Sequence, residues 1–121
     1  MITETKTRRI EPDLTVVEIS GRLNLGNTLL SIENSIEHLI AEGARKLIID
    51  LTALEYIDSA GIGVLVSCSG RVEQSGGRMR IAGAHGIVAR AFELVHMDRI
   101  APLDADLESA CRQLSAGSAA V

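Results

Sequence analysis

At 121 residues and 12.9 kDa the chain fits one domain, large enough to build a core without disulfides or metals. A net charge of −4 and a pI near 5.3 lack the electrostatic footprint of a nucleic-acid binder, so a protein partner or a small ligand is expected and no nucleic acid. Hydrophobic residues make up 46% of the chain, yet Trp is absent and there is one Tyr and one Phe, so the core must come from Val, Ile, Leu and Ala, a composition suited to helices packed on a sheet.

Cys68 and Cys111 are far apart and form no C-x-x-C pair, which points away from a metal site or a disulfide framework and toward small buried or half-buried side chains. The N-terminal residues are charged and threonine-rich, and no apolar run approaches the roughly 18 residues of a membrane span. A cytoplasmic location without membrane insertion is the expectation.

In chain order, Pro12-Asp13 reads as a turn between strands over residues 2–10 and 14–23, an antiparallel hairpin. Asn27 is placed to cap a helix in which Leu29, Ile32, Ile36, Leu39 and Ile40 recur at helical spacing, and Gly43 stands where a C-terminal glycine belongs. Residues 46–50 are a brief apolar run ending in Asp50, the pattern of a strand buried on both faces. A helix follows Asp58, and residues 78–82 after Gly76-Gly77 read as another strand, giving a β-α-β unit with an expected right-handed crossover. A helix over residues 87–95, a short strand over 100–103 and a last helix capped by Asp106 and running through Leu114 complete the order, with a tail over 115–121 expected to fray. No repeat or linker divides the chain. The expectation is a single α/β domain over residues 1–121, with a mixed, mostly parallel sheet of about five strands and about four helices.

Loops at the carboxyl ends of parallel strands carry ligands and chemistry, and the loop after Asp50 leads to Tyr56-Ile57-Asp58-Ser59-Ala60-Gly61-Ile62-Gly63-Val64. With Asp58 as N-cap and Ser59 as first helical residue, the hydroxyl lies in the positive field of the helix start, beside N–H groups without helical partners. Projection at about 100° per residue turns Ile62, Leu65, Val66, Ser69 and Val72 toward the sheet and leaves Ala60, Gly63, Val64, Ser67 and Arg71 outward. That small, smooth stripe would let another protein come close to Ser59. A phosphate there adds about −1.5 to −2 charges at a helix end that tolerates anions, while a docked partner is repelled.

Other readings start from the same letters. From residue types alone Ser59 is first a helix-start residue sharing the capping with Asp58. Asp50 and Asp58 as an acid/base pair compete with their reading as caps. A Ser-His-Asp triad would need His38, His85 or His96, but His38 projects to solvent and "DSAG" is not the G-x-S-x-G elbow. Gly61-x-Gly63 lacks the third glycine and downstream lysine of a phosphate loop, which leaves a nucleotide or small-ligand site at the helix start as a third class of reading. Glu33, Glu37 and Glu42 read as a solvated face, and Phe92 and Met97 as core or its edge, with an exposed aromatic able to join a binding patch.

The run "LIIDLTALEYIDSAGIGVL", residues 47–65, resembles the signature of the STAS domain, found in anti-sigma factor antagonists and at the cytoplasmic end of sulfate transporters. Further similarity lies in "GRLN", "AFELVHMDRI" and "LDADLESA". In the antagonist branch the resemblance makes Ser59 the phosphoacceptor and implies partner switching. The unphosphorylated protein binds an anti-sigma factor serine kinase, freeing the sigma factor; the kinase phosphorylates and inactivates it; a PP2C-type phosphatase restores it. The resemblance thus implies a binding protein, not an enzyme, with ATP held by the kinase and no cofactor here. The implied partner surface takes in Asn24, Asp58, Ser59, Ala60, Gly61, Gly63, Val64 and Ser67, with no metal site. Two positions depart from the pattern: Asn24 stands where family members often carry an acid, and Ala60 replaces a second hydroxyl residue, leaving Ser59 the sole acceptor in the loop. The Asn24 departure gives weight to an alternative, a scaffold STAS subunit of a signalling assembly or transport complex never modified at Ser59.

Overall fold

Leu47, Ile48 and Ile49 are consecutive in one strand and point alternately to opposite sides, so they require cover on both faces of a sheet. The computed structural model, which describes residues 4–11 and 13–119, supplies that cover. The strand, β3 (Lys46–Asp50), lies between β2 (Leu14–Leu23) and β5 (Arg78–Ala82), parallel to both. β1 (Glu4–Glu11) runs antiparallel to β2, and β6 (Leu103–Asp104) runs parallel to β5, giving the order β1-β2-β3-β5-β6.

Alternation along the strands divides the core. Val17, Ile19, Leu47, Ile49, Met79 and Ile81 pack with α1 (Asn27–Ala41), α2 (Ser59–Gln74) and α3 (Gly86–Leu94). Leu14, Val16, Ile48 and Ala82 pack with Ala110 and Leu114 of α4 (Leu107–Ala119). Phe92 and Met97 are fully buried in the first cluster, so no aromatic from that segment joins a surface patch. Cys68 lies in the same core, its thiol pushed up to about 12 by burial and then by the nearby Glu33 charge; Cys111 is half-buried, and neither forms a disulfide.

Both long helices on that face stop by the same device. Past α1, the Gly43 N–H donates to the Ile40 carbonyl and the Ala44 N–H to the Leu39 carbonyl, each at 3.0 Å. Past α2, Gly76 and Gly77 donate to Glu73 and Val72, each at 2.9 Å. Such caps need a left-handed residue after the helix, supplied by Gly43 (φ +102°) and Gly76 (φ +86°).

Several expected details differ. A sixth strand, β4 (Leu54–Ile57), pairs in parallel with residues 21–23 at the far end of β2. On its flank the Arg22 guanidinium stacks over the Tyr56 ring, 4.1 Å from the centroid. The N-cap of α1 is Gly26 and not Asn27, which is already helical; Gly26 is extended and offers no side-chain cap. The strand expected from Ile100 is displaced because Met97 dives into the core: His96 turns left-handed (φ 53°), a 3₁₀ turn spans Met97–Arg99, and pairing is confined to Leu103–Asp104. Asp106 accepts the Ser109 N–H at 2.8 Å, as a cap should, but α4 continues past Leu114 to Ala119. Pro12 of the expected hairpin turn, residues 2–3 of the first strand and residues 120–121 of the tail lie outside the described residues.

Across the β5–β6 edge Arg80 grips Asp104 through two bonds, Nε to Oδ2 at 2.6 Å and Nη2 to Oδ1 at 3.0 Å. The Asp104 side chain is 8% exposed and that of Arg80 20%. The pair fixes the two-residue strand β6, which has little ladder of its own.

Candidate functional site

The short strand β4 delivers residue 58 against the end of β2, and every polar group of Asp58 is then used. Its N–H donates to the Leu23 carbonyl at 3.2 Å, and its carbonyl accepts the Ile62 N–H at 3.0 Å. Oδ1 accepts the Gly61 N–H at 2.9 Å, capping α2, and Oδ2 accepts the Leu25 N–H at 3.0 Å from the β2–α1 loop. These N–H donors hold the carboxyl below its ordinary value of 3.8, Gly61 contributing most, against a smaller opposing effect of desolvation.

Gly61 completes the junction. A Cβ at that position would lie 2.6 Å from the Leu23 carbonyl oxygen and 2.8 Å from Ile57 Cγ1, so the first turn of α2 reaches β2 only with glycine there. The expected N-cap and helix start are therefore both in place, and Ser59 is exposed on the solvent side of the first turn. Asn24, Leu25 and Gly26 form the exposed lip beside it; Leu25 is 80% exposed.

The outward face of α2 is not the one that helical projection gives. Its buried residues are Gly61, Val64, Leu65, Cys68, Ser69 and Val72, with Val64 only 7% exposed. Of the expected partner surface, Gly61 and Val64 thus lie inside the fold, Ala60 is half-buried, and Gly63 is open to solvent. Ile62 and Val66, projected inward from the sequence, are half-buried at the rim. The contact of Gly61 with Leu23 sets this rotation, and it replaces the smooth stripe by a face of Ser59, Ile62, Gly63, Val66 and Gly70.

Ser67 and Arg71 are likewise not free surface. Ser67 Oγ donates to Glu33 Oε2 at 3.3 Å, and Arg71 bonds Glu33 at 3.3 Å and also Glu37. Glu33 and Glu37, expected as a solvated face, instead clamp α1 to α2, while Glu42 pairs with His38 at the exposed end of α1. The sequence reading did not single out Leu25; an apolar residue between Asn24 and Gly26 after a buried strand was its available signal.

Rival chemistries do not assemble. Asp50 Oδ1 accepts the Thr52 N–H at 3.1 Å and its hydroxyl at 2.6 Å, closing its own turn. His85 Nε2 is bonded to the Thr52 carbonyl at 2.8 Å, and His38 is held by Glu42. Among the described residues no three potential ligands gather as a metal site, and no helix is long and apolar enough to cross a membrane.

The family model of the STAS domain matches residues 5–110, which include β4, the Asp58 cap and the exposed serine; the chain belongs to that family. Among its relatives is the anti-sigma-F factor antagonist RsfB of Mycobacterium tuberculosis, 26% identical over 102 residues, spanning 84% of this chain and 82% of that protein. An anti-sigma factor antagonist from Mycobacterium paratuberculosis superposes with a TM-score of 0.79 at 23% identity over 93% of each chain. The antagonist SpoIIAA superposes in its unphosphorylated form with a TM-score of 0.81 at 18% identity over 93% of this chain and 97% of that one. In its phosphorylated form the values are 0.73, 18%, 92% and 99%.

The Asp58 cap gives a pH signature. Its depressed folded value means its stabilisation is fully present above the unfolded value near 3.8 and is lost as pH falls through the lower folded value. Asp58→Ala is expected to cost about 1 kcal/mol at neutral pH. Urea titrations should show that gap closing below pH 3.8; a gap independent of pH would mean the carboxylate charge plays no part.

Proposed function

We propose that this chain is an anti-sigma factor antagonist working by partner switching, with Ser59 as its phosphoacceptor. It binds an anti-sigma factor serine kinase while Ser59 is unmodified and leaves it when Ser59 is phosphorylated; a PP2C-type phosphatase reverses the modification. The observation that carries this reading is the exposed Ser59 at the first position of a helix already capped by Asp58, within a STAS domain. The antagonist relatives, one of them solved in a phosphorylated form, support it.

In the transfer, Ser59 Oγ forms a bond to the γ-phosphorus of ATP held by the kinase. The bond from that phosphorus to the bridging oxygen breaks, ADP leaves, and the hydroxyl proton passes to a base on the kinase. The antagonist supplies a substrate hydroxyl and a docking face; the catalytic machinery belongs to its partner. The face consists of Asn24, Leu25, Ser59, Ile62, Gly63 and Val66, with Asp58 holding it in shape.

Incubation with the cognate kinase and ATP, followed by mass spectrometry, is expected to show one phosphate on Ser59 and none on Ser59→Ala. Phosphate elsewhere, or none on the native chain, would count against the reading. Asn24, exposed beside the site without a carboxylate, favours the second reading of an unmodified scaffold subunit. That reading expects a stable multi-subunit particle in native extract, insensitive to changes at Ser59.

A further inference from the structure

The two oxygens of Asp58 hold segments of different packing. Oδ1 binds the Gly61 N–H, inside a helical turn pressed so closely on Leu23 that even a methyl group would clash. Oδ2 binds the Leu25 N–H, 33 positions away in the chain, on a loop whose residues 24–26 are all exposed. One link is packed against the core; the other lies on an exposed loop.

The Ser59 hydroxyl sits on the residue next to this carboxylate, and the N–H groups that would welcome an anion at a helix start are partly taken by Asp58. A phosphate of about −1.5 to −2 charges therefore meets an ionised neighbour competing for the same donors. Separation of the two anions requires the carboxylate to give up a partner, and the Leu25 N–H, on the exposed loop, is the partner not packed against the core.

We propose that Asp58 is a positioning residue that relays phosphorylation of Ser59 to the β2–α1 loop: the phosphate breaks the Asp58–Leu25 bond and frees residues 24–26, while α2 keeps its cap on Gly61. The relay rests on the assignment of Ser59 as phosphoacceptor, the phosphoryl group coming from ATP with ADP and the hydroxyl proton lost to the kinase. In the unmodified protein the bond fixes the backbone that carries the large, exposed apolar side chain of Leu25 within the docking face. In the phosphorylated protein that side chain loses its fixed position, so a partner must both oppose the charge and re-order the loop. The modification thereby acts on a segment it is not attached to.

Amide hydrogen exchange by NMR on the nitrogen-15-labelled full chain tests the relay without any partner. In Ser59→Asp the Leu25 amide is expected to exchange about tenfold faster than in Ser59→Ala, with Gly61 and the later α2 amides within about twofold. Asp58→Asn alone should free Leu25 to a similar extent, and adding Ser59→Asp to it should change Leu25 no further. Leu25 exchange within about twofold of the native chain in Ser59→Asp, or effects that multiply in the double variant, would overturn the relay. A kinase that leaves Ser59 unmodified while Ser59→Asp still frees Leu25 sinks the switch and supports the coupling. Kinase-driven phosphorylation with an unmoved Leu25 amide keeps the switch and sinks the relay.

Discussion

Ser59→Asp is expected to weaken binding to the anti-sigma factor kinase by a hundredfold or more, about 3 kcal/mol, while shifting the melting temperature by less than about 2 °C. The two halves of this expectation have separate causes. Ser59 is exposed and makes no part of the core, so a longer acidic side chain displaces nothing. An acid in the first helical turn gains about 0.3–1 kcal/mol from the helix dipole, and repulsion from the Asp58 carboxylate offsets that gain. In the proposed complex the same charge would be enclosed beside Ile62 and Val66, which are half-buried on the same side of the helix. Calorimetric titration against the kinase and thermal melts of the same samples measure both quantities, with Ser59→Ala as the variant that keeps binding. Equal affinities for the Ala and Asp variants would remove the docking face from Ser59; a large loss of melting temperature would mean that the serine supports the fold.

Asp104→Ala is expected to cost about 3 kcal/mol of stability, the lower end of the range for breaking a buried pair, because the Arg80 side chain keeps 20% exposure. For a domain of this size that is a fall of about 12 °C in melting temperature. The loss comes chiefly from stranding the Arg80 guanidinium, not from the lost attraction. The double replacement Arg80→Met with Asp104→Leu should accordingly recover most of it. Chemical denaturation of the native chain and the two variants decides the matter: a double variant as unstable as Asp104→Ala would assign the effect to the geometry of β6 and not to the unpaired charge. Kinase binding well below the melting temperature should be unaffected, since neither residue belongs to the proposed docking face.

What could be read from the sequence was local. β3 announced itself by consecutive branched apolar residues, α1 by its periodicity and Gly43, and the start of α2 by an aspartate preceding a serine. β4 was hidden because four residues with only Leu54 and Ile57 buried show no alternation, and its partner, the end of β2, is far away in the chain. The rotation of α2 was hidden for a related reason. Ile62, Val64, Leu65 and Val66 wrap apolar groups around most of one turn, so spacing alone does not choose the inner face; the approach of Gly61 to Leu23 does. The clamp of Arg71 on Glu33 and Glu37 needs knowledge of which helices are neighbours, and the bond from Leu25 to Asp58 joins two loops with no shared pattern. The candidate serine was therefore legible, whereas the surroundings that govern it came from tertiary contacts.

The Tyr56 ring held under Arg22 has an optical consequence. With no tryptophan in the chain, excitation at wavelengths absorbed only by indole leaves the free protein dark, so emission from a mixture would report the other component alone. At shorter wavelengths Tyr56 is the sole phenol fluorophore, anchored two residues ahead of the capping aspartate, and its quantum yield is an unlabelled gauge of that seam.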